Sequence, residues 1–436
     1  MRLKTILNRI EKHPGFVYEQ ARWSGSGHGI EVPMRPAARQ RPVCSGCGEP
    51  GPGYDTLAAR RFQYVPLWGI AVVLVYAMRR VDCPRCGVTV ERVPWAAGKH
   101  QLTWSYVWFL ARWARRLSWA EVARIFSTSW PTVLRAVEVA VEWGRARMPM
   151  EGITAIGVDE VAWKRGHKYL TVVYEIARHR CRLLWVGENR EEVSFEGFFT
   201  WLGERRAAIR YVCSDMWKPY LTVIARRIPK AIHVLDRFHI VAKLSKAIDE
   251  VRAKEAKRLE AGGYEPVLKH TRWCLLKRPE KHTPRQRSRL QELLAYNLKT
   301  VRAYLLKEDF DFLWGYKSAY WAGRFLDRWC TQAMRSRIEP MQAVAKTLRA
   351  HRPLILNWFR VREAISLGAT EGLNNKLKVV ARRAYGFRSF HVVKTALYHT
   401  LGALPEPEGT HRFCFENLLG RCSIQAASCA CVSVTV

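Results

Sequence analysis

The sequence predicts an α/β protein: a mixed sheet with a large all-α insertion, preceded by a cysteine-rich module and a pair of short helices. Three observations predict it. Five short apolar runs between residues 153 and 235 read as strands, three in direct succession and two separated by helices. The chain from 236 to 370 then reads as helical, with almost no strand signal. Ahead of both stand two C-x-x-C pairs and a helix–turn–helix pattern.

Residues 1–100 hold Gly, Pro and short apolar runs, and Gln63–Met78, rich in Val, Ile and Tyr, reads as β structure. Cys44-Ser-Gly-Cys47 and Cys83-Pro-Arg-Cys86 are each followed by glycine, Gly48 and Gly87. A glycine there suits a tight turn that aims backbone N–H groups at thiolates. Four sulfurs in two matched knuckles read as one tetrahedral structural Zn²⁺, since four thiolates leave no open position for catalysis. The competing reading is two redox or incidental pairs. The longest apolar run, Ile70–Met78, is of strand length and ends in Arg79 and Arg80. No segment approaches the roughly 18 apolar residues of a membrane span, and the first residues lack a signal-peptide pattern. The chain therefore reads as cytoplasmic, where its 12 cysteines favour metal over disulfides.

Residues 101–148 read as helical, with Trp104, Trp108, Leu110 and Trp113 at roughly helical spacing. Trp119–Phe126 is a short amphipathic helix that Ser118 caps. Ser127-Thr128-Ser129 is a polar turn, and a second helix begins at Pro131. The pattern predicts a helix-turn-helix with Arg135 facing the major groove; an ordinary helical hairpin is the alternative.

Beyond it, Ile153–Asp159, Lys168–Ile176 and Cys181–Gly187 read as three meandering strands. Ser194–Arg206 reads as a helix capped by Ser194. Ile209–Cys213 is a fourth strand, Pro219–Arg227 a helix and Ala231–Leu235 a fifth strand. Asp159, Asp215 and Asp236 each follow an apolar run, and strand ends of such sheets face the crevice that carries chemistry. Glu371 opens a helix on which Asn374, Asn375, Lys378 and Arg382 share its polar face. Carboxylates of this kind suit two hard Mg²⁺ ions acting on a phosphodiester, and the amides and cations suit phosphate oxygens. Lys164, Lys168 and Arg388 read as further phosphate contacts or plain surface. Asp236 reads as a helix cap and His239 as a packed side chain, with Asp236 as a further metal ligand or a partner to one the alternative. Trp163 and Trp217 flank the acids and are candidates for base stacking.

Lys and Arg number 72 against 38 Asp and Glu, a formal charge of +34. Such an excess strains a compact state unless a polyanion offsets it, and nucleic acid is the usual one, ahead of an anionic membrane.

Four blocks resemble the insertion-sequence DDE transposases of the "ISL-three" type, which carry an N-terminal zinc ribbon. They are Ile156-Gly-Val-Asp-Glu160 with Lys164–Tyr169, Val212–Trp217 with Tyr220, His233–Ile240, and Thr370–Lys376 with Ala384–Phe387. The resemblance implies an RNase H-like catalytic domain with an all-α insertion, a triad at Asp159, Asp215 and Glu371, Mg²⁺ dependence and binding to terminal inverted repeats. Ser366–Thr370 departs from the Asn-rich lead-in that the family pattern suggests.

The expected division is a zinc-ribbon region at 1–100 and a helix-turn-helix at 101–150. The catalytic core occupies 151–250, the α-helical insertion 251–360 and the final core helix 361–404, and a flexible tail spans 405–436. In that tail His411, Cys414, Cys422, Cys429 and Cys431 are too irregularly spaced for a second metal site. The expected function is a Mg²⁺-dependent transposase that cleaves element ends and joins their 3′-OH to target DNA. It acts as a homodimer or larger assembly, in a nucleoid-associated cytoplasmic protein that avoids membranes. The alternative is a sequence-specific DNA-binding regulator with an inactive catalytic domain.

Overall fold

The computed structural model describes residues 2–407 apart from 165, 167, 367 and 385. The five tail residues weighed above as metal ligands lie outside the described residues. The chain divides into two compact units, Met1–Pro149 with Leu377–Val436, and Met150–Lys376.

In the first unit, α1 (Leu3–Ile10) precedes a six-stranded sheet. Its strands are β1 (Phe16–Tyr18), β2 (Arg22–Trp23), β3 (Gly29–Pro36), β4 (Gly53–Leu67), β5 (Ile70–Cys83) and β6 (Gly87–Val90). The path runs β1-β3-β5-β4, with β2 on β3 and β6 on β5. The β structure expected at Gln63–Met78 is thus two long strands joined at Trp68–Gly69, both with positive φ. Alternate residues Phe62 and Tyr64 on β4 and Val72, Leu74, Tyr76 and Met78 on β5 fill one core. Trp95 is fully buried there, met edge-on by Phe16, Phe62 and Tyr76.

Three helices follow: α2 (Trp104–Arg116), α3 (Trp119–Ile125) and α4 (Trp130–Ala146). Ser118 and Glu121 form a reciprocal capping box at the start of α3. Ser129 caps α4, which starts one residue before the expected Pro131 and runs on to Ala146.

The second unit is built on β7 (Ala155–Lys164), β8 (Lys168–Ala177), β9 (Arg180–Glu188), β10 (Tyr211–Ser214) and β11 (Ile232–Leu235). The sheet order is β11-β10-β7-β8-β9. The first three strands are an antiparallel meander, and β10 lies parallel to both β7 and β11. The crossovers are α5 (Glu192–Leu202) and α6 (Lys218–Arg227). This is the expected mixed α/β sheet of RNase H-like order.

Two local expectations are corrected. Ser194 does not cap α5. The helix starts at Glu192, and the Ser194 hydroxyl donates to the Glu188 carbonyl instead. The strand carrying Asp159 does not end there. β7 continues to Lys164 because β8 pairs with it that far, whereas β10 pairs with it only through Gly157.

From β11 the chain enters α7 (Arg237–Ala261), which spans the division expected between 250 and 251. Then come α8 (Arg272–Leu276), α9 (Pro284–Leu294), α10 (Lys299–Asp311), α11 (Ala319–Arg335), α12 (Glu339–Ala350), α13 (Arg352–Leu356) and α14 (Trp358–Val361). Ile240, Leu244 and Ile248 of α7 join Phe310, Leu326, Trp329 and Met341 in one helical core. That shared core is why α7 runs on without a break. The last helices among the described residues are α15 (Ala369–Arg383) and α16 (Phe390–Leu401). Among the described residues, no helix is long and apolar enough to cross a membrane.

Candidate metal centre and active site

The four knuckle sulfurs of Cys44, Cys47, Cys83 and Cys86 lie within 4.8 Å of one another. The second knuckle is the turn of a hairpin, with Cys83 at the end of β5 opposite Gly87 at the start of β6. Gly48 and Gly87 have φ of 80° and 72°, which only glycine adopts without cost. The Thr89 hydroxyl and the Cys47 and Gly46 N–H groups hold the Cys44 thiol down at about 6. Burial, then Cys44 and Cys47, push Cys86 up to about 12. The thiols therefore oppose one another's ionisation, and a soft divalent cation removes that conflict. The donor set fits a structural zinc site.

The acids of the second unit gather where the parallel pairing ends. Asp215 follows the last residue of β10 and Asp236 the last of β11, and the Asp236 N–H donates to the Ser214 carbonyl at 2.8 Å. Asp159 is buried on β7, two residues past its last pairing with β10. Its Oδ1 accepts from the Glu160 N–H at 2.8 Å and lies 3.4 Å from His239 Nε2. Its Oδ2 accepts from the Asn374 side-chain amide. Burial, opposed by the Trp217 N–H and His239 and reinforced by Asp159 and Glu160, raises Asp215 to about 6. Burial also raises Asp236, with Asp159 and Glu371 adding to it. Burial works against charge on His239, yet Asp159, Asp236 and Asp215 hold its pKa up at about 9. Asp159, Asp215 and Asp236 thus crowd around one histidine, and their oxygen donors suit a hard divalent cation.

Glu371 stands exposed in the first turn of α15. Among the described residues, no three acidic or histidine side chains bring ligand atoms within 4.8 Å of one another as the cysteines do. Asp236 caps α7 by accepting from the Phe238 N–H at 2.8 Å, as expected. His239 does more than pack, since it faces Asp159. The signal for it was its place one helical turn after Asp236. Asn374 rather than Asn375 reaches the buried acid, and its i+3 spacing from Glu371 was the signal.

Of the expected phosphate contacts, Lys164 and Lys168 are exposed and face each other across the β7–β8 ladder. Asn375 is exposed in the same unit, whereas Lys378, Arg382 and Arg388, also exposed, belong to the other, as does the exposed Arg135 expected to face the major groove. Two cations that sequence reasoning missed, Lys243 and Lys246 of α7, line a cavity of about 270 Å³ with Asp215, Trp217 and His239. Trp217 is engaged by its own chain. The Arg190 guanidinium lies 4.8 Å from its ring centre and 4.6 Å from that of Tyr169.

The sheet order is RNase H-like, and membership of a transposase family makes the chain an enzyme of nucleotidyl transfer. The chain belongs to the ISL3 family of DDE transposases: the family model, described as "Transposase", matches residues 156–397. It is a DNA transposase. The chain is 30% identical to the transposase of insertion sequence element IS1001 from Bordetella parapertussis, over 88% of this chain and 95% of that protein. It is also 30% identical to the IS1557 transposase of Mycobacterium tuberculosis, over 89% and 92%. A solved Drosophila P element transposase strand transfer complex aligns with 72% of this chain and 94% of its own, at TM-score 0.39 and 9% identity.

Proposed function

We propose that this transposase binds the terminal inverted repeats of its element, cleaves the ends by metal-assisted hydrolysis and joins the 3′-OH to target DNA. Asp159, Asp215 and Glu371 are the triad. The observation that carries this reading is the gathering of Asp159 and Asp215 where the parallel strand pairing stops, with Asn374 of the Glu371 helix on Asp159. Held by these three acids, two Mg²⁺ ions would supply the charge stabilisation that an in-line displacement at phosphorus needs. The chain's own residues do the rest. His239 and Asn374 fix the Asp159 carboxylate. Lys243 and Lys246, with Lys164, Lys168 and Asn375, grip backbone phosphates near it. Arg190, held between two aromatic faces, is a further grip with little rotamer freedom to lose.

In this reading residues 1–100 and 101–150 recognise the element ends. The segments 151–250 and 361–404 hold the chemistry around a helical insertion at 251–360. Zn²⁺ on the four cysteines stiffens the N-terminal sheet. Arg135 at the second helix of the helix-turn-helix, with Lys378, Arg382 and Arg388, completes the DNA contacts. The protein works on double-stranded DNA as a homodimer or larger assembly, in the nucleoid-associated cytoplasm.

The test uses purified protein, Mg²⁺ and a labelled duplex of the element end. Alanine at Asp159, Asp215 or Glu371 lowers cleavage and joining by on the order of 10²–10³-fold or more, while end binding persists. An Asp159→Ala protein that still joins strands would overturn the triad. Wild-type protein that binds ends and never cleaves them would instead mark a regulator.

A further inference from the structure

The structure assigns to Asn374 the positioning of both the first acid and the helical turn that carries Glu371. Asn374 is half-buried on α15, one turn after Glu371. Its amide nitrogen donates to Asp159 Oδ2, and its amide oxygen accepts from the Tyr174 hydroxyl at 2.8 Å. The orientation follows from chemistry. Tyr174 is fully buried, and burial, then the charge of Asp159, keeps its phenol protonated and therefore a donor. A carboxylate oxygen such as Asp159 Oδ2 accepts, so the amide nitrogen is the group that faces it. A neutral amide accepts from the one and donates to the other at the same time.

Strand register brings these groups together. Gly157 on β7 pairs with Tyr174 on β8, and Asp159 with Val172, so Gly157, Asp159 and Tyr174 share one face of the sheet. The first turn of α15 seats on that face at Gly157, where an added Cβ would lie 2.8 Å from Thr370 Oγ1. Thr370 is buried and immediately precedes Glu371. The helix is thus fixed at two points, by steric fit at Gly157–Thr370 and by the hydrogen bond from Asn374 to Asp159. Glu371 lies between them. Losing the amide frees one oxygen of Asp159 and loosens the turn on which Glu371 stands.

This inference rests on the triad reading, and the experiment separates the two. Full-length wild type, Asn374→Ala, Tyr174→Phe, the double variant and Asp159→Ala are compared. Mn²⁺ binding without DNA is read by electron paramagnetic resonance, and end cleavage is followed against Mg²⁺ concentration. Asn374→Ala weakens Mn²⁺ binding by about 10-fold or more and moves the Mg²⁺ midpoint in parallel, as loss of a partner to a metal ligand does. Tyr174→Phe acts in the same direction but less, and adds little to Asn374→Ala, because it works through the same amide. Wild-type Mn²⁺ affinity in Asn374→Ala, beside a dead Asp159→Ala, overturns the role of Asn374 and leaves the triad standing. Full Mn²⁺ binding and cleavage by Asp159→Ala would remove the triad itself. If Asn374→Ala does not fold, Tyr174→Phe decides alone, since it deletes one oxygen, and unchanged Mn²⁺ affinity there overturns the proposal.

Discussion

His399, on α16, is a residue whose burial sets its charge. Burial, then the charge of Arg115, pushes its pKa down to about 3, and a backbone hydrogen bond at Ala111 works in the opposite direction. In the unfolded chain a histidine titrates near 6.5. Below that pH the unfolded state binds a proton that the folded state refuses, so stability falls as pH drops from about 6.5 toward 3. Between pH 7.5 and pH 5 this one side chain costs about 2 kcal/mol. His399→Gln keeps a donor for the backbone but does not titrate. Thermal denaturation at both values should show the variant losing less stability on acidification than the wild type. Equal losses in both proteins would place the acid sensitivity elsewhere. Nothing in the sequence marks His399, because burial is a property of the assembled helices. Asn374 and His239 were half-legible for the same reason. Their spacing from Glu371 and Asp236 was visible, but their approach to Asp159 depends on where two distant helices start.

At the scale of elements, what the sequence made legible was whatever is encoded locally. The C-x-x-C pairs, the Ser118 capping box and the apolar runs of β8, β9 and β11 need only neighbouring residues to be read. Features set by distant partners were not legible. The extension of β7 past Asp159 depends on β8, and the need for glycine at 157 depends on Thr370. The turn at Trp68–Gly69 lacks the Asn-Gly or Asp-Gly that announces a tight hairpin. The knuckles also make a prediction. Cys83 and Cys86 bracket the turn between β5 and β6, and Cys44 and Cys47 come from a separate loop, so a metal there ties two segments together. Cys83→Ser should lower the bound zinc from about one ion per chain to near none, because three thiolates hold it far less well. A chelator should lower the melting temperature of the wild type, and do so less in the variant. Unchanged zinc content in Cys83→Ser would remove the metal from this site.

For the whole molecule the governing quantity is the charge of +34. Several acids are already spent on internal arginines: Glu175 on Arg180 and Arg182, Glu406 on Arg112 and Arg115, Glu196 on Arg226 and Arg227. The cations left over repel one another in the free protein and are relieved when DNA phosphates replace solvent counterions. Binding to a random-sequence duplex should therefore fall steeply with salt. With about 6–10 phosphates neutralised, affinity drops by about 10³–10⁵-fold between 50 and 200 mM salt. The groove at Asp215 supplies a more specific version of the test. If Lys243 and Lys246 each hold a phosphate, changing both to alanine reduces the slope of log affinity against log salt by about two, nearly one per contact. Random and element-end duplexes should be affected alike, because phosphate contacts carry no sequence information. An unchanged slope would mean that DNA does not enter the groove beside Asp215, and the phosphate grip would have to be sought among Arg190, Lys164 and Lys168 instead.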